Sequence, residues 1–97
     1  MPLSTVRAMN IKKAYVWRLA CFLVANEMVM SGEELAEHLN RNGILTENGQ
    51  PYSGGRGTYR LIAGTWEWLH DELMLEGGAS KVAEAFVTQD GEYAYKV

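Results

Sequence analysis

The sequence is poor in cysteine, proline and histidine, with one, two and two of them in 97 residues. A lone Cys21 rules out an internal disulfide framework and fits a reducing, cytoplasmic setting, where it acts as a small hydrophobe. With His38 and His70 far apart and no cysteine at ligand spacing, a zinc site has no donor set. Long apolar runs are also missing. The most apolar stretch, 14-AYVWRLACFLVA-25, is broken by Arg18 and is too short for a span needing about 20 residues. Preceded by Lys12-Lys13 it has the outline of a secretory leader. The interrupting arginine and weak cleavage site favour a core helix instead. No catalytic pairing of nucleophile and base is visible, and no cofactor motif, so the chain reads as non-enzymatic.

Positive charge is scarce overall and unevenly spread. The net charge is −3 and the isoelectric point about 5.3, so a broad basic field for indiscriminate nucleic-acid binding is lacking. In residues 1–30, however, Arg7, Lys12, Lys13 and Arg18 face only Glu27, a net of +3. Residues 61–97 carry Lys81 and Lys96 against seven acids, a net of −5. A front half able to form a basic patch is joined to an acidic back half able to meet a protein.

What is present is helical periodicity and turn chemistry. A chain of this size forms one domain with a modest core. A first helix is expected over about 5–30, capped at Ser4 or Thr5 after a loose Met1 to Leu3. Ile11, Tyr15, Leu19, Phe22 and Leu23 lie on one face, and Val16, Trp17, Ala20 and Val24 widen it. So apolar a helix suits a central position or a homodimer contact. Ser31-Gly32-Glu33-Glu34 has capping-box spacing, opening a helix over 32–41 that turns Leu35, Ala36 and Leu39 inward and stops at Asn42-Gly43. Asn48-Gly49 signals a tight turn. A third helix is expected over about 58–76 on Leu61, Ile62, Thr65, Trp66, Leu69, Leu73 and Met74, stopped by Gly77-Gly78. Alternation in 82-VAEAFVTQDGEYAYKV-97 about Asp90-Gly91 predicts a β-hairpin. Helix, helix, turn, helix and hairpin together outline an α+β winged helix-turn-helix domain over 1–97.

The glycine-rich turn between the second and third helices invites comparison with a phosphate-binding loop. Gly49 and Gly54 have the glycine spacing of G-x-x-x-x-G-K-[ST], but Gly55-Arg56 stands where the lysine and hydroxyl belong, and no parallel α/β unit surrounds it. Beside the plain reading of a flexible loop stands a functional one. Arg56, Thr58, Tyr59 and Arg60 sit at a helix start, where backbone N–H groups and arginine attract phosphate and guanine edges.

The segment 35-LAEHLNRNGILTENGQPYS-53 resembles the helix-turn region of the DNA-binding part of large serine recombinases. Those read L-A-x-x-L-N-x-x-G-[IV]-x-T-x-x-G, then an aromatic and a small hydroxyl residue. Leu35, Ala36, Leu39, Asn40, Gly43, Ile44, Thr46, Gly49, Tyr52 and Ser53 match. The likeness covers about a fifth of the chain, which has no room for a recombinase catalytic domain. Gly54-Gly55-Arg56-Gly57 is extra to the pattern, so the likeness leaves the start of the reading helix open. It implies that this helix enters the major groove, with Arg56, Thr58, Tyr59 and Arg60 nearest double-stranded DNA. Lys12, Lys13 and Lys81 complete the expected DNA-binding set. The order of elements also resembles that of small phage and prophage regulators and accessory factors.

The rival expectation is a protein-binding module, such as a phage-encoded inhibitor of a host complex, acting through an acidic surface. Glu67 and Asp71 supply the acids. Trp17 and Trp68 supply anchors, since Trp66 and Trp68 lie two apart and one of them should be exposed.

Overall fold

A computed structural model describes residues 3–95, a small compact α+β protein. Helix α1 spans Leu3–Ala25, strand β1 Met30–Ser31, α2 Gly32–Arg41, α3 Arg56–Glu67, α4 Glu76–Ala85 and strand β2 Phe86–Val87. A π-helical turn, Trp68–Glu72, follows α3 directly. Of the expected hairpin and its neighbourhood, Lys96 and Val97 lie outside the described residues, as do Met1 and Pro2.

Helix α1 is already formed at Leu3, ahead of both expected caps, and ends at Ala25 rather than near 30. Its stop is a Schellman arrangement in which Met28 N–H donates to Leu23 O (2.8 Å) and Glu27 N–H to Val24 O (3.1 Å). Glu27 takes the left-handed φ of 55° that this geometry demands. The buried stripe is Val16, Ala20 and Leu23, whereas Ile11 and Phe22, expected inward, are exposed. The reason lies in the partner. Helix α4 makes the most extensive contact with α1 and selects the face it covers.

Helix α2 follows its sequence signals closely. Ser31 Oγ accepts from Glu34 N–H and the Glu34 carboxylate accepts from Ser31 N–H, both at 3.1 Å, completing the capping box. Leu35, Ala36 and Leu39 are buried. At the other end Gly43 adopts φ 70°, while Gly43 N–H donates to Asn40 O and Ile44 N–H to Leu39 O.

The back half departs from expectation. The third helix begins at Arg56 and loses α geometry after Glu67, so Leu73 and Met74 are exposed instead of inward. In the π turn Leu73 N–H reaches Trp68 O, and Met74 reverses the chain at φ 56°. Gly77-Gly78 does not end a helix; it lies in the first turn of α4. Residues 82–85, expected as strand, belong to α4. The buried set Ala79, Val82, Ala83 and Phe86 has the spacing of a helix face, which overrode the apparent alternation.

The two-stranded sheet is parallel, not a hairpin. Met30 pairs with Phe86 and Ser31 with Val87, so the sheet ties the start of α2 to the end of α4. Beyond it the chain turns at Gly91 (φ 84°) and makes an antiparallel bridge from Tyr93 to Val87. Val16, Ala20, Leu23, Leu35, Leu39, Ile62, Leu69, Val82 and Phe86 form one apolar cluster drawn from all four helices, the π turn and β2.

Candidate functional site

The feature that stands out is a cleft of about 400 Å³ between α1 and α3, walled by the 42–55 turn. Lys12 and Lys13 line it from α1, Gly57, Arg60, Leu61 and Gly64 from α3, and Thr46, Glu47, Asn48 and Tyr52 from the turn. Three cations thus converge against one carboxylate, in a molecule whose net charge is negative.

The glycine-rich wall is fixed rather than slack. The Asn40 side chain, on α2, pairs with the backbone of Tyr52 in both directions. Its Nδ2 donates to Tyr52 O and its Oδ1 accepts from Tyr52 N–H, each at 2.8 Å. From α1, Lys12 Nζ donates to Leu45 O (2.5 Å) and to Tyr52 Oη (3.0 Å). Within the turn Gly49 adopts φ 77°, with Thr46 N–H donating to Gln50 O. Satisfied backbone groups and charge-assisted bonds of this kind hold a long loop in one shape.

The start of α3 sorts the expected DNA-binding residues into two groups. Arg56 and Arg60, one helical turn apart, are exposed. Thr58 is fully buried, and its hydroxyl is shared between Gly32 O (2.6 Å) and Gly55 O (2.8 Å), so it faces the core. Tyr59 is half-buried. Its hydroxyl accepts from Gly32 N–H (3.3 Å) and donates to Glu33 Oε1 (3.0 Å). Burial first, and then the bond to the Glu33 carboxylate, push the Tyr59 phenol above its ordinary value of 10.0. Thr58 and Tyr59 therefore position α3, while Arg56 and Arg60 are the side chains it presents. Lys12 divides its ammonium between the turn and the cleft. Lys13 runs beside Gly64, where an added Cβ would meet only its Cε, at 3.8 Å. Lys81 is exposed on α4, outside the cleft.

The expected protein-contact residues are partly engaged. Trp17 lies against the first turn of α4 so closely that a Cβ on Gly78 would stand 2.9 Å from Nε1, a buried atom with no hydrogen-bond partner. Neither Trp66 nor Trp68 is exposed; both are half-buried. Trp66 stacks on His70 (4.4 Å between centroids) and meets Tyr95 edge-on (5.3 Å). Glu67 accepts from Tyr95 Oη at 2.9 Å, and Asp71 pairs with His70 at 2.9 Å. The bond to Glu67 leads in raising the Tyr95 phenol above 10.0. His38 meets Tyr15 Oη at 2.7 Å. Among the described residues no group of three His, Cys, Asp or Glu side chains is placed to hold a metal ion. No helix there is long and apolar enough to cross a membrane.

Sequence signals alone assign no role to Asn40, Tyr52 or Gly64. Asn40 and Tyr52 match the recombinase-like pattern, but twelve residues separate them and no local rule pairs an amide with a distant backbone. Gly64 sits mid-helix, and an isolated helical glycine is a signal of a packing or binding reason. Comparison with protein-family models, curated proteins and solved structures finds no match for this chain.

Proposed function

We propose that the protein is a small, non-enzymatic DNA-binding domain of helix-turn-helix type, presenting the exposed face of α3 to a duplex. The observation that carries this reading is the grouping of Arg56 and Arg60 on one face of α3 with Lys12 and Lys13 beside it. Arginines one turn apart can address phosphates or guanine edges, and flanking lysines add counterion release. A role as a regulator or accessory factor of DNA transactions, of the phage or prophage kind, fits the size and the arrangement.

A second reading, protein contact, draws on one specific feature. Asp71-Glu72-Leu73-Met74-Leu75-Glu76 is exposed throughout, a mixed acidic and apolar turn on the side of the π turn. Fluorescence anisotropy on mixed-sequence duplex DNA across a salt series separates the two. The DNA reading expects affinity that falls steeply with salt and drops in Arg56→Ala and in Arg60→Ala. No binding by the parent at low salt would sink it and move attention to the acidic turn.

A further inference from the structure

We propose that the cleft between α1 and α3 seats one phosphodiester of a nucleic-acid backbone, between Lys13 and Arg60. This rests on the DNA-binding reading and names the contact it would use.

Charge supplies the attraction. Lys12, Lys13 and Arg60 line the cleft, and Glu47 alone opposes them. Among the described residues the one ion pair is His70–Asp71, so neither Lys13 nor Arg60 is neutralised by a carboxylate of the fold. Two unpaired cations facing one cleft repel each other, and a bridging anion removes that cost.

Shape supplies the selectivity. Gly57 and Gly64 lie two turns apart on the cleft side of α3 without side chains; the Tyr52 ring packs over Gly57, so Gly64 is the open position. Space over Gly64 is open apart from Lys13 Cε. A ligand can therefore approach the helix backbone there. The volume of about 400 Å³ falls within the range of small-ligand clefts, roughly 300–1,000 Å³. It exceeds what a bare phosphate ion fills and suits a phosphate with its flanking sugars.

Preorganisation supplies the third argument. Lys12 is the positioning residue. By bonding Leu45 O and Tyr52 Oη it holds the wall that carries Thr46 and Asn48, whose side chains can bond phosphate oxygens. The Asn40–Tyr52 pair fixes the same wall from the other side. A ligand meeting a preformed wall is spared the entropy of ordering fourteen loop residues, 42–55.

The test uses the full chain and a fluorescein-labelled duplex of about 20 base pairs, followed by anisotropy from low to moderate salt, with circular dichroism confirming each fold. Lys13→Gln is expected to weaken binding about five- to tenfold and to lower the salt slope by about one. Glu47→Gln, at the exposed rim, is expected to tighten binding about two- to fivefold. Arg56→Ala lies outside the cleft and reports on the DNA reading separately. Unchanged affinity and slope in Lys13→Gln, with Arg56→Ala weakened, would overturn the cleft and leave the DNA reading standing. Absence of duplex binding by the parent overturns both. In that case inorganic phosphate, followed by amide shifts of Lys13 and Gly64, tells whether the cleft takes a free anion instead.

Discussion

Helix α3 is bounded by two turns built on opposite principles. The turn before it, 42–55, is rich in glycine, carries three left-handed glycines (Gly43, Gly49 and Gly54), and is held by side chains of α1 and α2. The turn after it, 73–75, is Leu-Met-Leu, has no glycine, and places Met74 at φ 56° with its side chain 78% exposed. The first walls a cleft whose cations come from α1 and α3; the second lies between Asp71-Glu72 and Glu76 in an acidic and apolar corner. A long turn made of flexible residues is thus tied down by side chains of neighbouring helices, whereas the short one is closed by backbone bonds from Leu73 N–H to Trp68 O and from Leu75 N–H to Leu69 O. Flexibility of the unfolded segment says little about the folded one when Lys12, Asn40, Thr46 and Thr58 all bind its backbone.

The largest effect is expected at the close contact that ends the first turn. An added Cβ on Gly55 would stand 2.5 Å from Glu33 Oε2 and 2.6 Å from the Tyr59 ring. That ring has little freedom to move aside, because it also lies close to Gly32, where an added Cβ would stand 2.6 to 2.8 Å from its atoms. Gly55→Ala should therefore destabilise the protein by about 2–3 kcal/mol, as overpacking does, measured by urea denaturation. A loss below about 0.5 kcal/mol would show that the start of α3 is as yielding as a free loop.

How much of this was open to a reader of the sequence depends on the range of the forces involved. Ser31 to Glu34 and Asn42-Gly43 were legible because capping is local chemistry, complete within a few residues. The break after Glu67 was not. Leu73 and Met74 continue the helical period, and nothing in 73–75 disfavours a helix. What ends α3 is the pull of Ala79, Val82, Ala83 and Phe86 onto α1 and α3, a tertiary demand with no local mark. The same demand turned residues 82–85 of the alternating segment into the end of a helix. At the cleft, Lys12, Lys13, Arg56 and Arg60 were nameable as basic residues. That Thr58 and Tyr59 face inward, and that Asn40 grips Tyr52, follows only from where α2 crosses α3.

A smaller effect, and one with a pH signature, is expected at Tyr59. Tyr59→Phe removes the acceptor for Gly32 N–H and the donor to Glu33, at a cost of about 1–2 kcal/mol. The Tyr59 phenol is raised in the folded state above 10.0, so between the unfolded and folded values the native protein holds the extra proton. Its contribution is full below about pH 10 and is lost as pH rises through the folded value. Urea midpoints of the parent should fall with pH above 10, and those of Tyr59→Phe should fall less steeply. The same direction holds for Tyr95, so Tyr95→Phe in both backgrounds separates the two. Parallel pH profiles for parent and Tyr59→Phe would remove Tyr59 from the account.

The smallest effect, opposite in sign, belongs to the second turn. A non-glycine residue at left-handed φ costs about 1–2 kcal/mol, and glycine there costs nothing sterically but loses more chain entropy, about 0.5–1 kcal/mol. Met74 contributes little burial to set against this, being largely exposed. Met74→Gly should therefore stabilise the protein by about 0.5–1 kcal/mol, a rise of roughly 2–6 °C in thermal midpoint for a chain of this size. Met74→Ala, which removes the same side chain but keeps the strain, should give no such rise. Equal midpoints for the two variants would mean that the 73–75 corner is not strained. Its left-handed residue would then be as comfortable as Gly43 at the end of α2, and the contrast between the two turns would reduce to the charge of the elements around them.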